Sequence, residues 1–140
     1  ELLLVYYGYT SCPDVCPTTL SDVRTALAEL AEEDAADIGL AMATVDPDRD
    51  VDEVIGGYVQ SFVPDASGLR TTDAAELRAA ADAFGVEYSV DTNDEGEVEV
   101  VHSGSLYVVD DQGQLVLTWP FGTPVDDLIN DLRILMAAPV

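Results

Sequence analysis

The sequence predicts an α/β fold in which a central mixed sheet is flanked by helices. Three observations predict it: an apolar run of strand type near the start, apolar residues spaced three and four apart in the segments that follow, and two short strand-like runs joined by a Gly-containing turn. With 140 residues, of which 48% are hydrophobic, the chain has the size and apolar content of one domain. We therefore expect residues 1–140 to form a single domain.

The first half of the chain predicts two strands and two helices. Residues 2–7 are apolar without alternation, as in a strand that is buried on both faces. Residues 18–33 carry leucine and valine at helical spacing, which places them on one face of a helix. Residues 38–45 form a second apolar run and end in the turn-forming residues 46–50, and helical spacing returns over residues 51–62.

The second half predicts another helix, a hairpin and a last helix. Helical spacing covers residues 74–84, Gly85 suits a C-terminal cap, and the polar stretch 91–99 is expected to be a mobile loop or a hairpin tip. The remaining elements are a hairpin with strands over 106–109 and 115–117 and a helix over 124–136. A βαβ crossover followed by an antiparallel pair and a helix is a thioredoxin-like layout, here with one additional helix before the hairpin.

The charge of the chain is strongly negative. It has 28 acidic and 5 basic residues, a formal net charge of -23, and every basic residue is arginine. Because the acids are scattered over all segments, we interpret them as the surface of a halophilic protein, screened at molar salt, and disfavour an acidic patch for a basic partner. Phosphate backbones would be repelled, so nucleic-acid binding is not expected.

No stretch of the sequence reaches the roughly 18 apolar residues of a membrane span. The chain opens on a predicted strand, and we expect it to be an extracytoplasmic part whose membrane anchor lies outside the covered residues. Prolines and turns favour a monomer.

Cys12 and Cys16 follow the first strand and open the first helix. A helix N-terminus favours the thiolate, which makes such sulfurs reactive and able to bind metal. The spacing permits either a disulfide or two metal ligands. A purely structural disulfide is disfavoured, since a bridge across so short a loop removes little unfolded-state entropy.

His102 is the only histidine in the chain and precedes the predicted hairpin. In a thioredoxin-like layout, the loop that enters this hairpin faces the N-terminus of the first helix, so His102 is expected to meet the two sulfurs. Two thiolates and one imidazole suit Cu(I), whereas a structural zinc site would need a fourth ligand.

Three motifs carry a resemblance to a known family: residues 8–17 around the two cysteines, residues 44–50, and His102-Ser103 followed by residues 107–110 and Gly113. The chain resembles the SCO/SenC copper chaperones, over nearly its whole length. The resemblance implies Cu(I) and Cu(II) ligation by Cys12, Cys16 and His102. It also implies assembly of the dinuclear copper centre of cytochrome c oxidase, with the copper-receiving oxidase subunit as partner, at the outer face of the cytoplasmic membrane.

One residue departs from the family pattern: Val101 stands where an Asp commonly precedes the ligand histidine. An Asp there would orient the imidazole, so its absence bears on metal affinity or on contact with the partner. The three ligand types are intact.

Two functions stay open at this point. The first is a metallochaperone, which is not an enzyme. The second is a thiol-disulfide oxidoreductase, with Cys12 as the attacking thiolate and Cys16 as the resolving thiol, a role that some family members have. The three-residue spacing of the cysteines and the histidine favour metal, and a peroxiredoxin-type peroxidase is disfavoured because Thr10 lies only two residues before Cys12.

Several nearby residues carry secondary expectations. Asp14 is interpreted as a helix-capping or dipole-stabilising residue, and residues 46–50 as a turn. Tyr7 and Tyr9 are expected to flank and shield the site. Trp119 and Phe121 are expected to pack in the core or on the hairpin.

Overall fold

The computed structural model describes residues 1–11, 15–92, 98–102 and 104–137. The strands are β1 (Leu2–Gly8), β2 (Ile38–Thr44), β3 (Ser67–Leu69), β4 (Tyr88–Thr92), β5 (Val98–His102), β6 (Leu106–Asp110) and β7 (Leu115–Trp119). The helices are α1 (Val15–Glu29), α2 (Glu32–Ala36), α3 (Asp52–Gln60), α4 (Ala74–Phe84) and α5 (Val125–Ala137).

Five strands form a mixed sheet in the order β3-β2-β1-β6-β7. Strand β1 is central, parallel to β2 and antiparallel to β6; β3 is parallel to β2, and β7 antiparallel to β6. Strands β4 and β5 form a separate antiparallel hairpin. The predicted mixed sheet flanked by helices is therefore confirmed.

Successive side chains of β1 enter two different cores. Leu4 and Tyr6 belong to a cluster with side chains of α1, α3 and α5, whereas Val5 and Tyr7 belong to a cluster with Ala81 of α4. Because helices cover both faces of this central strand, residues of both parities are apolar. This burial explains why β1 reads as a continuous apolar run instead of an alternating one.

The structure corrects several predicted boundaries. Helix α1 begins at Val15 instead of residue 18 and ends at Glu29, and residues 32 and 33 of the predicted helix belong to a separate short helix, α2. Strand β3 was not predicted, because its three residues carry no strand signal. The alternative of a hairpin near residues 91–99 is confirmed by β4 and β5, while the tip itself lies outside the described residues.

Three single-residue expectations have mixed outcomes. Gly85 does cap α4 in the left-handed region, with φ 75°. Trp119 is buried, and its indole nitrogen donates to Asp131 Oδ2 at 2.9 Å. For Phe121 the core alternative is wrong: the residue is 51% exposed, since it lies at the surface on the connection that follows β7.

Candidate metal and thiol site

Cys16 is the second residue of α1 and is fully buried, with 0% exposure. It packs in the cluster on the α1 face of the sheet. Its place in the first turn puts the sulfur near the positive end of the α1 dipole, which favours the thiolate. Cys12 and Asp14, which the sequence also singled out, lie outside the described residues.

Three residues of the sheet surround the space that the Cys16 sulfur occupies. The Tyr6 hydroxyl donates a hydrogen bond to Sγ at 3.4 Å. A β-carbon on Gly8 would lie 2.7 Å from Sγ, 2.8 Å from Tyr6 Cε2 and 3.1 Å from the Met42 methyl group. The first two distances are shorter than any real β-carbon contact, so only glycine at position 8 lets the sulfur approach the strand this closely.

The buried carboxylate of Asp50 accepts hydrogen bonds that hold the segment leading from β1 toward the cysteines. Asp50 is 1% exposed and accepts hydrogen bonds from the Thr10 backbone N–H at 2.9 Å, from the Thr10 hydroxyl at 2.5 Å and from the Thr44 hydroxyl at 2.8 Å. Thr44 Oγ1 also accepts from the Asp46 backbone N–H, and Arg49 pairs with the Asp46 carboxylate. Residues 46–50 thus form the predicted turn, and that turn reaches back to the segment before Cys12.

His102 is the last residue of β5, and its backbone pairs with Tyr88 of β4. The chain then enters β6 at Leu106, which pairs with Tyr6 of β1, two residues before Gly8. The connection from His102 therefore leads to the end of the sheet where Cys16 sits. Four residues span at most about 14 Å, so this connection keeps the His102 backbone within that distance of Leu106.

The structure corrects the expectation for Tyr7. Its hydroxyl donates to the Ala80 carbonyl at 3.3 Å, and its ring packs against Phe84 and Tyr107, on the face of the sheet opposite Cys16. Burial, and then the negative charge of an ionised Tyr107, raise the pKa of the Tyr7 hydroxyl above its ordinary value. Tyr6, and not Tyr7, is the β1 tyrosine that donates to the cysteine sulfur.

Sequence reasoning missed Tyr6, Gly8 and Asp50 as parts of this site. The alternation of side chains along β1 is a signal for Tyr6. Residues 6 and 8 lie on the same face of the strand, so both face the helix that follows. Asp50 lies in the motif 44–50, but the motif does not show its contact with Thr10, which spans 40 residues of chain.

Within the part of the chain that the structure describes, no cluster of three or more His, Cys, Asp or Glu side chains is arranged to hold a metal ion. Two of the three predicted ligands, Cys12 and the side chain of His102, lie outside that part. None of the helices described is long and apolar enough to cross a membrane.

The sheet order, the crossover through α1 and the cysteine in the first turn of that helix define the class: a thioredoxin-like protein with a thiol at the carboxyl end of its central strand. Residues 1–137 match the SCO1/SenC family model, and the chain belongs to the SCO1/SenC family.

Individual relatives support this membership. The chain is 36% identical over 116 residues to an SCO2-like protein of Rickettsia prowazekii, covering 81% of this chain and 56% of that protein. The solution structure of apo Sco1 from Thermus thermophilus has a TM-score of 0.86 and 34% identity, covering 96% of this chain and 79% of that one. The copper-bound crystal structure of Arabidopsis thaliana ScoI has a TM-score of 0.87 and 25% identity, covering 99% of this chain and 86% of that one. The chain spans about half the length of the Rickettsia protein.

Proposed function

We propose that this protein binds copper through Cys12, Cys16 and His102 and delivers it to the copper-receiving subunit of cytochrome c oxidase, during assembly of the dinuclear copper centre. The observation that carries the proposal is the buried Cys16 sulfur in the first turn of α1, seated against the central strand. Membership of the SCO1/SenC family supports copper as the cargo.

The donor set fits copper. Thiolates are soft ligands that select Cu(I), and imidazole suits both oxidation states. The helix N-terminus favours the deprotonated sulfur that a metal requires. Burial of Cys16 keeps one sulfur of the pair away from water, which would help to shield a bound Cu(I) ion.

The path of the chain after β5 supports His102 as the third ligand. Strand β6 starts opposite Tyr6, and Tyr6 contacts the Cys16 sulfur. A short connection keeps the His102 backbone within about 14 Å of Leu106, which supports His102 as a candidate third ligand. Val101, where the family commonly has Asp, removes one possible orienting partner of that imidazole.

The decisive experiment is an anaerobic titration of the reduced protein with Cu(I) beside a competing chelator. We expect one copper ion per chain, and losses of affinity of about tenfold or more in Cys12→Ser, Cys16→Ser and His102→Ala. Thr25→Ala is the matched control, since Thr25 is exposed on α1 and its hydroxyl donates to the Ser21 carbonyl of the same helix. Equal copper retention by wild type and His102→Ala would refute the histidine assignment.

A second candidate is a thiol-disulfide oxidoreductase, favoured by the complete burial of Cys16. A resolving cysteine is shielded in this way, while the attacking Cys12 must be accessible to the partner. Cys12 thiolate would attack the partner disulfide, and Cys16 would then displace the partner thiol, so that two electrons pass to the partner and a Cys12–Cys16 disulfide forms. Efficient reduction of a disulfide substrate by a chain that binds no copper would make this the main function.

The cellular setting completes the proposal. Delivery to an oxidase subunit would place the protein at the outer face of the cytoplasmic membrane, held by an anchor outside the covered residues. The net charge of -23 supports a halophilic origin, in which molar salt screens the acidic surface. We further propose that residues 1–140 act as one monomeric domain.

A further inference from the structure

We propose that Tyr6 is a positioning residue for the copper site, whose hydroxyl hydrogen bond sets the orientation and the donor strength of the Cys16 sulfur. The inference rests on the proposed function, because it treats Cys16 as a copper ligand. It adds a residue that is not itself a ligand and that lies on a different element, β1.

The first step is that the Tyr6 ring is held by the core, with its hydroxyl at the Cys16 sulfur. Tyr6 is 0% exposed, and its ring is held in the cluster between the sheet and α1. Its neighbours in strand pairing are Met42 of β2 and Leu106 of β6, both buried. A phenol in this position needs a buried hydrogen-bond acceptor, and the Cys16 sulfur, at 3.4 Å, accepts from it.

The second step is that the sulfur is held from several directions. Gly8 lies against Sγ so closely that no side chain fits between them, and the Met42 methyl group lies beside the same space. Cys16 itself is fixed by its place in the first turn of α1. Since Cys16 is fully buried and Gly8 closes one side of its sulfur, the hydrogen bond from Tyr6 acts on a sulfur whose position the packing limits.

The third step is the effect on a bound ion. A hydrogen bond draws electron density from a thiolate, which lowers its donation to copper and shifts the balance toward Cu(I). The bond is also stronger to a thiolate than to a thiol, because hydrogen bonds to charged groups are roughly twice as strong as neutral ones. The tyrosine would therefore stabilise the deprotonated sulfur that a metal requires and, once copper is bound, favour Cu(I) over Cu(II).

The adjacent tyrosine provides a matched control. Tyr7 is also buried, also lies on β1 and also donates a hydroxyl hydrogen bond, but to Ala80 on the other face of the sheet. Tyr6→Phe and Tyr7→Phe thus remove the same atom from neighbouring residues. Only the first change removes a hydrogen bond to the sulfur.

The main test loads wild type, Tyr6→Phe and Tyr7→Phe with Cu(II) and records the sulfur-to-copper charge-transfer band. We expect the band of Tyr6→Phe to move to longer wavelength, because the sulfur electrons are then less tightly held, and its Cu(I) affinity to fall roughly fivefold. Tyr7→Phe should keep the wild-type band and affinity. An unchanged band in Tyr6→Phe, or an equal shift in Tyr7→Phe, overturns the proposal.

A metal-free measurement separates this proposal from the proposed function. In a Cys12→Ser background the remaining thiol is Cys16, since the chain has two cysteines, and at a pH low enough to protonate it, its S–H stretching band can be read by infrared spectroscopy. We expect this band to shift on Tyr6→Phe and not on Tyr7→Phe. If wild type binds no copper, the proposed function fails; a shift specific to Tyr6→Phe then still supports control of the sulfur by Tyr6, and its absence overturns it.

Discussion

Replacement of Gly8 by alanine tests most directly the close packing of the Cys16 sulfur against β1. The added β-carbon would lie 2.7 Å from Sγ and 2.8 Å from Tyr6 Cε2, both below any ordinary contact. Cys16 and Tyr6 are each 0% exposed, so neither can move aside without displacing other core residues. Overpacking of a tight core costs typically about 1–3 kcal/mol, and two simultaneous overlaps place Gly8→Ala near the upper end, at about 2–3 kcal/mol.

The assay is equilibrium unfolding in urea, which is uncharged and leaves the repulsion between the acidic side chains unscreened. With a slope of about 1–3 kcal/mol per molar, the midpoint should fall by roughly 0.7–3 M while the slope stays constant. Gly57→Ala is the control: Gly57 is an exposed position within α3, and a β-carbon added there would have no described heavy atom outside its own helix within 4 Å. Alanine at this position should stabilise the helix by about 0.5–1 kcal/mol.

A double-mutant cycle identifies the clashing atom. Cys16→Ala removes Sγ and so removes the shorter of the two overlaps, which means that Gly8→Ala should cost about 1 kcal/mol less in that background. A Gly8→Ala protein that unfolds at the wild-type urea concentration would refute the reasoning. So would a cost that is unaffected by removal of the sulfur.

Three further predictions concern other parts of the molecule. Asp50→Asn should lower the free energy of unfolding by about 2–3 kcal/mol, because an amide nitrogen would then face donors from Thr10 and Thr44. Urea unfolding measures this loss, with Asp52→Asn as the control because Asp52 is exposed. Equal losses in the two variants would contradict the prediction. The raised pKa of Tyr7 favours the neutral phenol in the folded state, so its contribution to stability is complete below the ordinary value of 10.0 and is lost as pH rises through the folded pKa. Tyr7→Phe should therefore lose less stability than wild type when unfolding is measured in a series of increasing alkaline pH. A pH profile identical to that of wild type would contradict this prediction. With a net charge of -23, the wild type should unfold at higher urea in about 2 M NaCl than in about 0.1 M NaCl, and a midpoint that falls with salt would overturn the interpretation of the surface.

The fold was largely predictable because its elements carry local signals. The apolar run of β1, the helical spacing of α1, α3, α4 and α5, and the turn between β6 and β7 each depend on residues close together in the chain. Gly85 was predictable for the same reason, since a helix C-cap is a local feature. Strand β3 could not be predicted, because three residues form a strand only by pairing with Ala41–Ala43 of β2.

The candidate site also has a part that the sequence predicts and a part that it does not. Cys12, Cys16 and His102 stand out as residue types with metal-binding chemistry, and their motifs resemble a family to which the chain belongs. The contacts that hold Cys16 in place do not stand out: Tyr6 looks like an ordinary strand residue, and the motif that contains Gly8 does not show its approach to the sulfur. The convergence of all three predicted ligands stays a prediction, and the titration of the histidine and cysteine variants tests it.

The sequence by itself determined the order of the main elements and the reactive residue types, since these depend on local pattern, and its motifs carried the resemblance to the family. Only the tertiary structure decided which tyrosine of β1 touches the sulfur, why position 8 must be glycine, and that Asp50 fastens Thr10. The physical reason is that such contacts join atoms from different elements, and their distances are set by how the elements pack. No spacing along the chain encodes those distances.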